Sequence, residues 1–168
     1  PTGGAVVTLS DNSASSTTPA NVTVAAGATS ATFTVTTVVV TTSTPVTITS
    51  TYNGSLQTAV LSINPVVLVS VTLNPVSVTA GAPTTGTVTL NAPAAGTAAQ
   101  RTVTLSDDNA ASATPASVQV VAGATTATFT ITTTVVTAPT PVTVTATLKG
   151  TPQTAALTIN PVIVASVT

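Results

Sequence analysis

An all-β fold made of tandem sandwich repeats is predicted by three features of the chain. Composition is the first: Thr, Val, Ala and Ser dominate, while 3% of residues are charged and 2% aromatic. Thr and Val are branched at Cβ, which restricts them in a helix and suits a pleated, half-buried surface. Periodicity is the second. Apolar and hydroxyl residues alternate, as in TATFTIT at 126–132, and no segment carries apolar residues at the i, i+3, i+4, i+7 spacing of an amphipathic helix. The third is self-similarity. Leu9 matches Leu105, Pro19 matches Pro115, Phe33 matches Phe129, Pro45 matches Pro141 and Ile63 matches Ile159, each pair 96 positions apart (105 − 9; 159 − 63) with no insertion. A period that long is a whole domain and not a solenoid rung.

One complete unit is expected over residues 66–161, and alternation marks seven strands in it. The first covers 67–73 and continues past Asn74-Pro75 over 76–79; Pro cannot donate to a ladder, so the break suits an edge strand that switches sheets. GTVTL at 86–90 and TVTL at 102–105 follow, separated by an Ala/Gly/Pro loop. Strands over 117–121 and 127–133 are expected to form a hairpin around Ala122-Gly123-Ala124, repeating a pair in the first copy within 19–37. Residues 141–148 and 154–160 complete the set, with Lys149-Gly150 in the turn between them. Alternation also assigns the core: Val103, Leu105, Val118, Val120, Phe129, Ile131, Val142, Val144, Leu148, Leu157 and Ile159 face inward. Phe129, with Phe33 in the first copy, is the expected large anchor of each unit. Seven short strands in one such unit is the immunoglobulin-like sandwich count.

In register with that unit, Pro1 stands at the position of Thr97. Residues 1–65 therefore read as a repeat lacking its first two strands, and 162–168 as the first strand of a following one. The chain is expected to be a window in a longer array; a subunit that lends its tail to a neighbour is the alternative.

Mean hydropathy is +0.60, yet Thr or Ser interrupts every hydrophobic run, and a spanning helix needs about 20 consecutive apolar residues. Against a membrane barrel stand the missing aromatic girdles and the Pro-broken strands. Arg101 and Lys149 oppose Asp11, Asp107 and Asp108 for a net charge of −1, so no basic stripe exists for nucleic acid. There is no Cys and hence no disulfide.

His, Cys and Glu are all absent, which removes His-based triads, thiol nucleophiles and the usual zinc sets. No catalytic residue and no cofactor are expected. Asp107 and Asp108, matching Asp11 and Asn12, are weak metal candidates; a calcium site needs six or more oxygens, and Asx-turn formation is the simpler reading. Lys149 faces Asn53 in the other copy, which excludes a repeated Lys–Asn isopeptide, and Gln57 with Gln153 leaves a Thr–Gln ester open without an acid to assist it. Asn21-Val22-Thr23 and Asn53-Gly54-Ser55 are N-glycosylation sequons, though Ser117 and Lys149 replace the two Asn residues in the second copy. Tyr52, matched by Leu148, reads as a core residue. The scarcity of charge is informative, because sheet edges are ordinarily guarded by charged side chains; neighbouring domains, glycans, lateral packing, or Pro breaks and Thr hydroxyls alone would each account for it.

The pattern PANVTVAAGATSATFTVTT at 19–37, returning as PASVQVVAGATTATFTITT at 115–133, resembles the Ig-like repeats of large bacterial and archaeal surface proteins. The resemblance covers essentially the whole chain. It implies an extracellular structural module: a stiff rod, stalk or filament on a microbial cell surface, contacting neighbouring repeats and self-associating into fibres or lateral arrays. An adhesin or carbohydrate-binding module, or a spacer in a large secreted enzyme, are the alternatives it leaves open.

Overall fold

The structure, a computed structural model, describes residues 3–163. The chain is all-β and divides into two compact units, Pro1–Pro65 and Val66–Thr168. In the first unit the strands are β1 (Ala5–Asp11), β2 (Ser16–Thr17), β3 (Asn21–Val24), β4 (Thr36–Thr37), β5 (Thr44–Tyr52) and β6 (Ser55–Ile63). In the second they are β7 (Leu68–Asn74), β8 (Ser77–Thr79), β9 (Thr84–Leu90), β10 (Thr102–Asp107), β11 (Ser112–Ala113), β12 (Ser117–Gln119), β13 (Thr126–Thr133), β14 (Thr140–Leu148) and β15 (Thr151–Asn160).

The second unit is an immunoglobulin-like sandwich. One sheet has the order β11-β13-β9-β7 and the other β12-β10-β14-β15-β8. The opening strand is shared between them. β7 runs antiparallel to β9, the chain turns at the cis Asn74–Pro75 bond, and β8 joins the opposite sheet parallel to β15. Leu73 before the break and Val78 after it are both buried, so the switch lets one run of sequence serve both sheets. Between the layers lies a core that includes Val88, Val103, Val120, Ile131, Val144 and Ile159, each fully enclosed. Val118 is half-buried against the edge of this core.

The expected hairpin over 117–133 does not form. β12 pairs with β10 and β13 pairs with β9, in different sheets. Alternation puts apolar side chains on one side of each strand, a condition that neighbours in a sheet and strands facing across a core meet equally well. Gly123, at φ +82°, lets the linking turn reverse. Its N–H donates to Ala94 O (2.9 Å), while the Ala94 N–H donates to Ala124 O (2.7 Å), which pins the turn to the preceding loop. The two-residue β11 was not anticipated; Ser112–Ala113 is too short to show a period.

In the first unit β3-β1-β5-β6 form one sheet and β2-β4 a two-stranded ribbon. Leu9, Val40, Val46, Ile48 and Ile63 are buried. Residues 30–35, in register with most of β13, take no strand pairing. Phe33 is accordingly not the buried anchor expected: it is 40% exposed, against 7% for Phe129. Tyr52 is also exposed (39%), at the end of β5 beside the turn, and so is not the core residue its match to the buried Leu148 implied. The strand expected over 162–168 lies, from 164 onward, outside the described residues.

Candidate functional site

Two places gather the side chains of interest: the acidic loop after β10, with its counterpart after β1, and the surface around Phe33. The loop is set by geometry at the end of a strand. Asp107 closes β10, and its carboxylate turns back on its own loop: Oδ1 accepts from Asn109 N–H (3.4 Å) and Oδ2 from Thr114 N–H (3.0 Å). Asp108, next along a pleated strand end, points the other way. It accepts the Thr143 N–H of β14 at 2.7 Å. Asn109 adds Oδ1 to Ala111 N–H (2.9 Å), an Asx turn. The buried Ser112 donates its hydroxyl to Asn109 O (3.0 Å).

The first unit repeats this network residue for residue. Asp11 Oδ1 accepts from Ser13 N–H (3.2 Å) and Oδ2 from Thr18 N–H (3.0 Å), and the Asn12 Oδ1 accepts from Thr47 N–H (2.9 Å). Asn12 thus does with an amide oxygen what Asp108 does with a carboxylate. Two carboxylates so directed hold backbone and do not converge on one point. Among the described residues no group of three or more His, Cys, Asp or Glu comes together. Thr18, then the Ser13 amide, hold the Asp11 carboxyl below its ordinary value by hydrogen bonding to its charged form. The Thr143 backbone amide does the same for Asp108.

The sequon residues are placed differently from each other. Asn21 opens β3 and is exposed. Asn53 sits at φ +48° in the two-residue turn between β5 and β6, followed by Gly54 at +79°. Both central residues at positive φ make the hairpin turn whose twist matches the flanking strands. Lys149-Gly150 form the same turn in the second unit, at +50° and +83°. Gln57 and Gln153 lie opposite Ser50 and Ala146 in their ladders, so neither has Thr as its direct cross-strand partner. Arg101 serves the backbone, with Nη1 donating to Val120 O (2.9 Å) and Nε to Gly96 O (3.2 Å).

The surface at Phe33 was not read from the sequence as a site. A hollow of about 220 Å³ is lined by Phe33, Ile48, Ser50, Gln57, Thr58 and Ala59. The signal for it lay in the repeat register, since Phe129 owes its burial to β9, and β9 lies in the stretch that has no counterpart ahead of Phe33 in this sequence.

No family model matches this chain, and no curated protein does. Among solved structures it is similar to the D0-D1 domain of intimin, at 13% identity over 94% of this chain and 82% of that one, with a TM-score of 0.45. It is also similar to FdeC, an Escherichia coli adhesin, at 17% identity over 96% and 54% (TM-score 0.48). Domains 4 and 5 of the S-layer protein SbsC are similar at 18% identity over 94% and 70% (TM-score 0.43). The immunoglobulin-like assignment stands on the strand order of the second unit itself. No helix among the described residues is long and apolar enough to cross a membrane.

Proposed function

We propose that the protein is a non-catalytic structural module of a microbial cell surface, in which immunoglobulin-like units in series make a stiff rod, stalk or filament. The observation that carries this reading is the connection between the units. Ser43 donates its hydroxyl to Asn64 Oδ1 (2.9 Å) at the end of the first unit. At the start of the second, the Val67 N–H donates to Asn91 Oδ1 (2.8 Å). Only Pro65 and Val66 separate these two tethered positions, and Pro fixes its own φ. A connection this short, with Pro and without Gly, is what the rod reading requires of the join.

Strands of eight to ten residues at about 3.3 Å each, plus loops, would add roughly 40 Å per unit. Outward faces rich in Thr give such a rod a hydrated surface of low charge, suited to lateral packing in which like charges would repel. Cryo-electron imaging of the native material tests the proposal. Continuous fibres, or threads with a regular bead spacing of roughly 40 Å, are expected; isolated particles of variable inter-unit angle would overturn it.

A further inference from the structure

Both units leave the same edge of a sheet open. Among the described residues β3 has β1 as its one sheet neighbour, and its counterpart β12 has β10. The Leu9 N–H donates to Ala20 O (2.9 Å), which makes the opposed pairs Thr8–Asn21 and Val6–Thr23 the non-hydrogen-bonded ones of this antiparallel ladder. The backbone groups of Asn21 and Thr23 therefore point away from β1, toward the open edge. Such an edge is a template for further strands and is ordinarily guarded by charge. The second unit puts Arg101 at the end of its edge strand, with Nη1 donating to Val120 O (2.9 Å). Ala5 stands in that register in the first unit, and the four residues of β3 carry no charge. They carry a sequon instead. Asn21 and Thr23 are both exposed and, two residues apart on a strand, share one face.

We infer that Asn21 is the acceptor of an N-linked glycan that covers this edge, and that Asn53 is not an acceptor, although Asn53-Gly54-Ser55 has the same residue types. Transfer needs a stretch that can be lifted into an enzyme, and the two sequons differ in what holds them. β3 is four residues long and bonded along one side, so its release is a local opening of the low-cost kind. Asn53 is held at φ +48° in the turn that joins β5 to β6, two nine-residue strands paired from Tyr52–Ser55 to Thr44–Ile63. Lifting Asn53 out means unzipping that hairpin from its closed end. In the transfer the Asn21 amide nitrogen bonds to the anomeric carbon of a glycosyl phosphate or pyrophosphate donor. The bond from that carbon to the phosphate oxygen breaks, the phosphate leaves with the electron pair, and one amide proton is released. The sugar then stands beside the free backbone groups of the edge and excludes a second strand. It leaves the join between the units untouched, so the inference does not rest on the rod reading.

Peptide mass spectrometry of the native protein tests the site. A glycan mass increment is expected on Asn21 with Asn53 unmodified, and the increment should be lost completely in Asn21→Gln and in Thr23→Val made in the same host. Asn21 found bare, or a glycan found on Asn53, overturns the inference. Comparing Thr23→Val with Thr23→Pro tests the covering of the edge. Both variants lack the sequon, but Pro also removes the edge N–H of residue 23, a change that an edge strand accommodates. In sedimentation, Thr23→Val should self-associate at concentrations where the glycosylated chain and Thr23→Pro do not. Equal association of the two variants overturns the role of the sugar at the edge.

Discussion

The two units carry the sequence ATFT at 31–34 and again at 127–130, and the structure treats the two copies differently. Around Phe129 the stretch is a full strand with β9 alongside and the ring 7% exposed. Around Phe33 it has no ladder, and the ring is 40% exposed. Identical alternation therefore defines which face a side chain takes, while its burial belongs to whatever lies across from it. Strand propensity behaves the same way, since it measures fit to a neighbouring strand more than an intrinsic backbone preference.

The sharpest test of that contrast is a pair of truncations. Phe129→Ala should cost about 3–5 kcal/mol, as for a large aromatic removed from a closed core. Phe33→Ala should cost about 1 kcal/mol or less, because its ring is already partly in water. Urea unfolding followed by residue-resolved NMR separates the two units, and equal costs would erase the difference drawn here. Next in size is Gly86→Val. Its side chain would meet the Phe129 ring, and overpacking of this kind costs about 1–3 kcal/mol. If Gly86→Val in combination with Phe129→Ala is no better than the sum of the two singles, the steric pairing is wrong.

The acidic loops separate the units by chemistry. Asp11 in the first unit and Asp108 in the second both have carboxyls held below the ordinary value of 3.8. A carboxyl whose folded pKa is depressed adds stability that is present above its unfolded pKa, near 4, and is lost as pH falls through the folded value. Both units should therefore weaken below about pH 4. Asn12 already performs the Asp108 role in the first unit with a neutral amide. Asp108→Asn should accordingly keep the bond to Thr143 and flatten the acid limb of the second unit, with little change at pH 7. Urea midpoints at pH 7 and pH 3 decide it, and an undiminished acid limb would mean that Asp108 is not its source.

Much of the second unit was legible from residues alone: the all-β class, the sheet switch at Asn74-Pro75, and the core, in which ten of the eleven residues assigned are buried and Val118 is half-buried. What was not legible shares one cause. The hairpin expected around Gly123, the anchor role of Phe33 and the core role of Tyr52 each depended on which strand lies opposite, and period 2 carries no information about that. The loop network shows the converse. Asp107 and Asn109 act through bonds mainly to backbone a few residues away, so their turn-forming role could be read locally. The reach of Asp108 to Thr143 was missed because it spans from one strand to another.

The smallest expected effect concerns the turns. Lys149 at φ +50° and Asn53 at φ +48° hold the same left-handed position, each followed by a glycine. For most L-residues that region brings Cβ near the following carbonyl, whereas Asn tolerates it through local hydrogen bonding. The second unit thus has the less favourable residue in an otherwise equivalent turn. Lys149→Asn should stabilise it by a few tenths to about 1 kcal/mol, and Asn53→Lys should destabilise the first unit by a similar amount. Because both side chains are exposed, neither change alters core packing. Stabilisation by Lys149→Asn together with destabilisation by Asn53→Lys would attribute the effect to the backbone of the turn; the reverse pair of signs would point to charge.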